Sequence, residues 1–163
     1  MPDPVISQRT VQVEHVEIES AKSFAEVKAA LESSVPRLDT EIFALLQRGE
    51  SDRARAELER SPELSIFNSR VHGGLLQIAG QPRKAVQYDI GNPLTASRMS
   101  QHQLPASLYA PLRVVLYENR AGRATFECDR SLSLFGQFGE ERATGSRAPI
   151  GYQSRARADQ AAS

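Results

Sequence analysis

The chain has 163 residues, enough for one domain with a hydrophobic core. Its 20 basic and 20 acidic residues cancel, which argues against nucleic acid as the main partner. The single cysteine, Cys128, excludes an internal disulfide framework and a paired-cysteine metal or redox site, and we expect no metal and no cofactor. No stretch approaches the ~18 apolar residues of a membrane span, and the first residues do not resemble a signal peptide. We therefore expect a cytoplasmic protein without membrane contact.

The N-terminal residues predict a leader, a strand and a helix. Residues 1–9 read as a flexible leader, and residues 11–18 alternate in two phases, which predicts a strand with a bulge midway. Ser23 and Glu26 have the spacing of a capping box. Apolar residues then follow at intervals of three and four, and Pro36 ends the pattern. This stretch predicts an amphipathic helix.

Two shorter helices are predicted next. Asp39 or Thr40 can cap the first, and the second starts at Ser51 and ends before Pro62. We interpret the pair as an insertion or as a cover on one edge of the domain.

The middle of the chain predicts a hairpin. Residues 64–67 read as a short extended piece, and residues 68–74 as a polar loop that ends in two glycines. Residues 75–79 read as a strand, and turn residues lead from it to residues 85–90, where apolar and polar side chains alternate. We predict that these two strands pair.

A strand-to-helix junction follows at Gly91. Asn92 is a favoured N-cap, and Pro93 suits the first helical position of a helix that runs to about His102. A helix N-terminus beside a strand end can hold an anion. The alternative is that Asn92 only caps its helix.

The C-terminal part predicts a second hairpin, formed by residues 112–117 and 123–128. Residues 132–138 predict a short helix or turn, and residues 143–163 predict a disordered tail. Residues 10–142 then form a single α+β domain. We expect a mostly antiparallel sheet of about five strands with helices packed on one face.

Three stretches resemble a known family. They are Tyr88–Pro93, Leu104-Pro105 and Tyr109–Glu118. The first stretch and the helix after it are similar to the Asn-Pro turn and helix of the domain of unknown function 302 family. The other two are similar to the Leu-Pro and valine-rich strand of the same family. The resemblance covers about residues 11–139. It implies a compact α+β domain, often dimeric, with no established activity, and we therefore expect a homodimer. Many members carry a cysteine where this chain has Leu112, so a thiol role there is absent.

No nucleotide-binding, zinc-protease or hydrolase motif is present. One hypothesis is a domain that binds a small, possibly anionic, ligand near the junction, and a second is an enzyme with His72 or His102 as general base and Asp89 as its orienter. A third is a dimerising interaction module. A helix face carrying threonine, arginine and histidine is also typical of a solvated surface. The candidate ligand-binding residues are Asn92, Thr95, Arg98, Tyr109 and Arg113.

Overall fold

The computed structural model describes residues 3–139. The strands are β1 (His15–Glu19), β2 (Ser65–Val71), β3 (Ala85–Gly91), β4 (Leu112–Glu118) and β5 (Ala124–Asp129). The helices are α1 (Phe24–Ser34), α2 (Glu41–Gln47), α3 (Ser51–Arg60), α4 (His72–Leu75), α5 (Pro93–Ser100) and α6 (Ser131–Phe135), with 3₁₀ turns at Leu104–Leu108 and Gly136–Phe138. The predicted tail, residues 143–163, lies outside the described residues.

The five strands form one sheet in the order β1-β5-β4-β3-β2, and every neighbouring pair is antiparallel. Successive side chains of a strand point to opposite faces, so β3 buries Val86, Tyr88 and Ile90 on one face. Leu116 of the neighbouring β4 is fully buried in the same core. The predicted α+β class and antiparallel sheet are confirmed.

Helix α1 covers this apolar face. The Ser23 hydroxyl accepts from the Glu26 backbone N–H at 3.3 Å, and the Glu26 carboxylate accepts from the Ser23 N–H at 2.9 Å, so the capping box is confirmed. The buried Tyr88 donates its hydroxyl to Glu32 of α1 at 2.9 Å. The half-buried apolar residues of the helix stripe pack on the core: Phe24, Val27, Leu31 and Val35.

The predicted pairing in the middle of the chain was wrong. Residues 68–71 are not loop but the end of β2, and β2, not residues 75–79, pairs with β3. Residues 75–79 continue α4 as successive turns up to Gly80. The error has a physical cause, because β2 lies at the edge of the sheet, where its polar Asn68 and Arg70 remain exposed, whereas residues 75–79 are apolar but largely solvent-exposed.

The first strand also differs from the prediction. It spans His15–Glu19 instead of residues 11–18, and its register with β5 runs without a shift, so no bulge lies there. The strand starts at His15 because β5, its partner, ends at Asp129. The register shift that the sheet does contain lies in β2, between Ile66 and Asn68.

Helices α2 and α3 form a satellite cluster through Ile42, Leu45 and Ala54, and α3 also contacts α5. The segment just before α2 pairs with the edge strand: the Ile66 N–H donates to the Pro36 carbonyl at 2.8 Å. That bond covers part of the β2 edge. Within residues 3–139, no helix has the length and apolar character needed to cross a bilayer.

Candidate functional site

A cleft of about 250 Å³ lies on the sheet face opposite α1. The strand registers place Gln87 beside Val115, and Val115 beside Glu127, so one row of side chains crosses three strands. The cleft is smaller than the ~300–1,000 Å³ of drug-sized sites, which limits it to a ligand of few atoms. Its lining residues are His15, His72, Gln87, Arg113, Val114, Val115, Glu127, Cys128 and Asp129.

One wall of the cleft is a network of ionisable side chains. His15 of β1 places Nδ1 2.9 Å from Asp129 Oδ1 and Nε2 2.8 Å from Glu127 Oε2. The second carboxylate oxygen of Glu127 accepts from the Tyr117 hydroxyl. Both acidic side chains of this wall therefore already have hydrogen-bond donors from the protein itself.

These contacts shift the pKa values of three groups. The hydrogen bond to Asp129, followed by that to Glu127, raises the pKa of His15 above its ordinary 6.5. The Tyr117 hydroxyl, followed by His15, lowers the pKa of Glu127. The hydrogen bond to Glu127 raises the pKa of Tyr117 to about 12. The network is therefore built to hold a charged histidine, an ionised glutamate and a protonated tyrosine.

The opposite wall carries basic groups. Arg113 is exposed on β4 and, within residues 3–139, makes no ion pair or side-chain hydrogen bond. His72, at the start of α4, lies with Nε2 2.9 Å from the Gln87 side-chain oxygen. Asp89 is opposite Arg113 in the register but bonds to Arg70 at 3.1 Å instead. The guanidinium of Arg113 thus has no protein partner within residues 3–139.

The comparisons with known proteins identify the chain. The model of the family described as "Domain of unknown function DUF302" matches residues 51–151. The chain belongs to the DUF302 family. Its fold is similar to that of the crystal structure of an uncharacterized conserved DUF302 protein from Bacillus stearothermophilus, with a TM-score of 0.53 and 17% identity over 77% of this chain and 80% of that one. None of the curated proteins matches the chain.

In this DUF302 domain the strand-to-helix junction is occupied by its own side chains. The Asn92 carbonyl oxygen accepts from the Thr95 N–H at 3.0 Å, and the Asn92 amide donates to the Glu63 carbonyl at 2.8 Å. Asn92 therefore caps α5 and ties it to the segment before β2. Both of its polar groups have partners.

Asn92→Ala is expected to lower the free energy of unfolding by about 1–2 kcal/mol, because it removes a helix cap and a tie to Glu63. Denaturant unfolding monitored by circular dichroism measures this cost. Arg98→Gln, an exposed change on the same helix, is the control and should leave stability within ~0.5 kcal/mol. Equal effects of the two substitutions would show that the cap does not stabilise the DUF302 domain.

The remaining predicted site residues lie away from the cleft. Arg98 and His102 are exposed, and His102 contacts the neighbouring Gln101 at 3.2 Å. Thr95 is half-buried. Tyr109 packs on two phenylalanines, with its ring centroid 6.5 Å from that of Phe135 and 6.1 Å from that of Phe138. Of the predicted residues, the structure brings His72 and Arg113 together in the cleft, with Asp89 next to Arg113 in the register.

Sequence reasoning missed the acidic wall of this DUF302 domain. His15 falls within the predicted strand of residues 11–18 without a predicted role in a site, and the sequence analysis assigns none to Tyr117, Glu127 or Asp129. The signal that could have found them is the alternation within β4 and β5, which places polar side chains on the face away from the core. The partner of each residue depends on the register between strands, which alternation does not give.

Proposed function

We propose that this domain binds a small anionic ligand in the cleft, with Arg113 as its main charge partner. The observation that carries the proposal is the Arg113 guanidinium, which lines the cleft and has no ion pair within residues 3–139. A guanidinium is a planar fork of donors that matches a carboxylate or phosphate. The proposed anion site therefore lies on the polar face of the sheet, whereas the sequence predicted it at the junction near Asn92.

The charge balance of the cleft supports an anion over a cation. Glu127 and Asp129 would attract a cation, but His15 and Tyr117 already bond to them. On the opposite wall Arg113 has no such compensation within residues 3–139, and His72 adds a polar ring bonded to Gln87. An incoming anion therefore meets an arginine without having to break an ion pair first.

The volume and the lining of the cleft limit which anions it can hold. A cleft of about 250 Å³ fits an inorganic phosphate or a short carboxylate better than a nucleotide. Val115 contributes apolar surface that suits a short aliphatic part. We therefore propose a small carboxylate or phosphate compound as the ligand.

The test is a titration with inorganic phosphate and with acetate, followed by amide NMR. We expect shifts centred on Arg113 and its β4 neighbours, with a dissociation constant of about 1 mM or lower. Arg113→Gln should abolish them. Arg98→Gln is the matched control and should not change them, because Arg98 lies on α5, outside the cleft lining.

Two outcomes would contradict the proposal. Shifts centred on Gly91 and Asn92 that disappear in Arg98→Gln would place the anion at the helix junction instead. Amides that stay unmoved at about 10 mM of every anion, or shifts that persist in Arg113→Gln, would exclude an arginine-held anion in the cleft.

The other two hypotheses stay predictions. For the enzyme, Asp89 bonds to Arg70, and within residues 3–139 it has no hydrogen bond to His72 or His102. For the homodimer, the exposed apolar side chains of Val71, Leu75 and Ile78, in and beside α4, mark the region where an interface would be expected.

A further inference from the structure

Strand β1 is held by side-chain bonds at both ends, and a histidine takes part at one of them. It is an edge strand and, in the part of the chain that the structure describes, pairs only with β5. At its C-terminal end, Glu19 accepts from Arg123 at 2.7 Å and from Asn119 at 2.6 Å. At its N-terminal end, His15 contacts Asp129 and Glu127 of β5. Just before the strand, Glu14 pairs with Arg130 at 3.1 Å and donates its N–H to the Ser133 hydroxyl at 3.0 Å. Arginine and asparagine keep their charge state near neutral pH, whereas histidine does not.

The geometry of the pairing places the His15 ring against its acidic partners. Backbone bonds join Glu14 to Arg130 and Ser20 to Ala124. Antiparallel bonds alternate, so Val16 and Ile18 occupy hydrogen-bonded pairs, and His15 faces Asp129 in a non-hydrogen-bonded pair, where side chains lie closest. Each ring nitrogen contacts one carboxylate: Nδ1 lies 2.9 Å from Asp129 and Nε2 lies 2.8 Å from Glu127.

Both ring nitrogens can donate only in the imidazolium form. The charged and titratable groups near the ring come from several elements; the carboxylates favour this form, and the cations oppose it. Two carboxylates of β5 contact it directly, and Tyr117 of β4 holds one of them from the far side. Across the cleft lie Arg113 of β4 and His72 of α4. Also nearby in sequence or register are Glu17 of β1 and the Glu14–Arg130 pair.

We propose that His15 is a proton-controlled latch, which strengthens the attachment of the N-terminal end of β1 to β5 when protonated and weakens that attachment when neutral. The apolar contribution at this end is small, since Val16 is only half-buried. The Glu19 end stays fastened at either pH. The weaker attachment would raise the fraction of molecules in which β1 separates from β5 at the His15 end, which opens one wall of the cleft and exposes the edge of β5. This inference is independent of the ligand proposed above.

The direction of the pH dependence follows from the two shifts. Because folding raises the pKa of His15, the protonated ring stabilises the folded state. This stabilisation is complete below about pH 6.5 and is lost as the pH rises through the pKa of the folded state. The lowered pKa of Glu127 contributes stability that is present above 4.5 and is lost as the pH falls through its folded value. The bonds between His15 and its carboxylates are therefore strongest between about pH 4.5 and pH 6.5 and weaken at alkaline pH.

Hydrogen exchange of backbone amides in the full chain tests the latch. The rates of Val16 and Ser20 are compared at about pH 6 and about pH 8.5, each relative to its intrinsic rate. We expect the protection of Val16 to fall roughly two- to fivefold at the higher pH, the range of an exposed ion pair, while that of Ser20 stays unchanged. Ser20, at the Glu19 end, is the internal control.

Variants separate the latch from a general effect of pH. His15→Gln should make the Val16 protection independent of pH, and Asp129→Asn, which keeps the side-chain shape, should reduce the pH dependence even if His15→Gln does not fold. His102→Gln, an exposed histidine outside the network, should keep it. The proposal would be overturned if the protection of Val16 in the native chain were the same at both pH values. It would also be overturned if the pH dependence at Val16 were as large in Asp129→Asn as in the native chain, or if Ser20 lost as much protection as Val16.

Discussion

Leu116→Ala is expected to lower the free energy of unfolding by about 2–5 kcal/mol, the largest effect we expect from a single truncation in this chain. Leu116 is fully buried in the central strand β4, in one core with Tyr88 and Ile90. Its truncation leaves a cavity between the sheet and α1, which the packed neighbours can fill only in part. Urea unfolding at constant pH measures the loss.

Val115→Ala is the matched control. It removes apolar atoms from the next residue of the same strand, but on the opposite face, where Val115 is half-buried and lines the cleft. We expect it to cost no more than about 1.5 kcal/mol. A Leu116 variant as stable as the Val115 variant would show that the face under α1 is not the core.

Gly73→Ala is expected to destabilise the domain by about 1–3 kcal/mol or more, because a methyl group at this position would collide with backbone. Gly73 is buried at the start of α4, and an added Cβ would lie well inside contact distance of the Arg83 carbonyl oxygen. Arg83 lies two residues before β3, so a shift that relieved the collision would have to be taken up next to the start of that strand. Thermal unfolding and the amide spectrum of residues 83–86 measure the effect.

Gly74→Ala provides a control one residue away. A Cβ there meets nothing within 4 Å, and the helical backbone of α4 accepts alanine. This substitution should be neutral or should stabilise the domain by up to about 1 kcal/mol. If both alanine variants unfold alike, the close approach of α4 to the strand before β3 does not contribute to stability.

The parts of the fold that sequence predicted correctly depend on local chemistry. The capping box of Ser23 and Glu26 and the Asn92 cap need only residues three positions apart, so the starts of α1 and α5 could be read directly. The alternation of β3 likewise reports which side chains are buried, because successive residues must face opposite sides.

The errors fell where position in the sheet overrides composition. Residues 68–71 carry polar side chains and two glycines follow them, which is typical of a loop. At the edge of a sheet, however, polar side chains can remain in water while the backbone pairs with β3. Residues 75–79 are apolar except for Gln77, but they pair with none of the strands within residues 3–139 and form helical turns instead.

The α+β class, the caps of α1 and α5, the buried face of β3 and the polar character of Arg113 and His72 could all be predicted from the sequence. The pairing of β1 with β5, and the contacts of His15 with Asp129 and Glu127 more than a hundred positions away, are known only from the folded structure. The physical reason is that a strand's alternation fixes which face a side chain occupies, whereas its partner depends on strand order and register. Those are set by the packing of the whole sheet, and so the cleft and its charge balance could not be read from the chain alone.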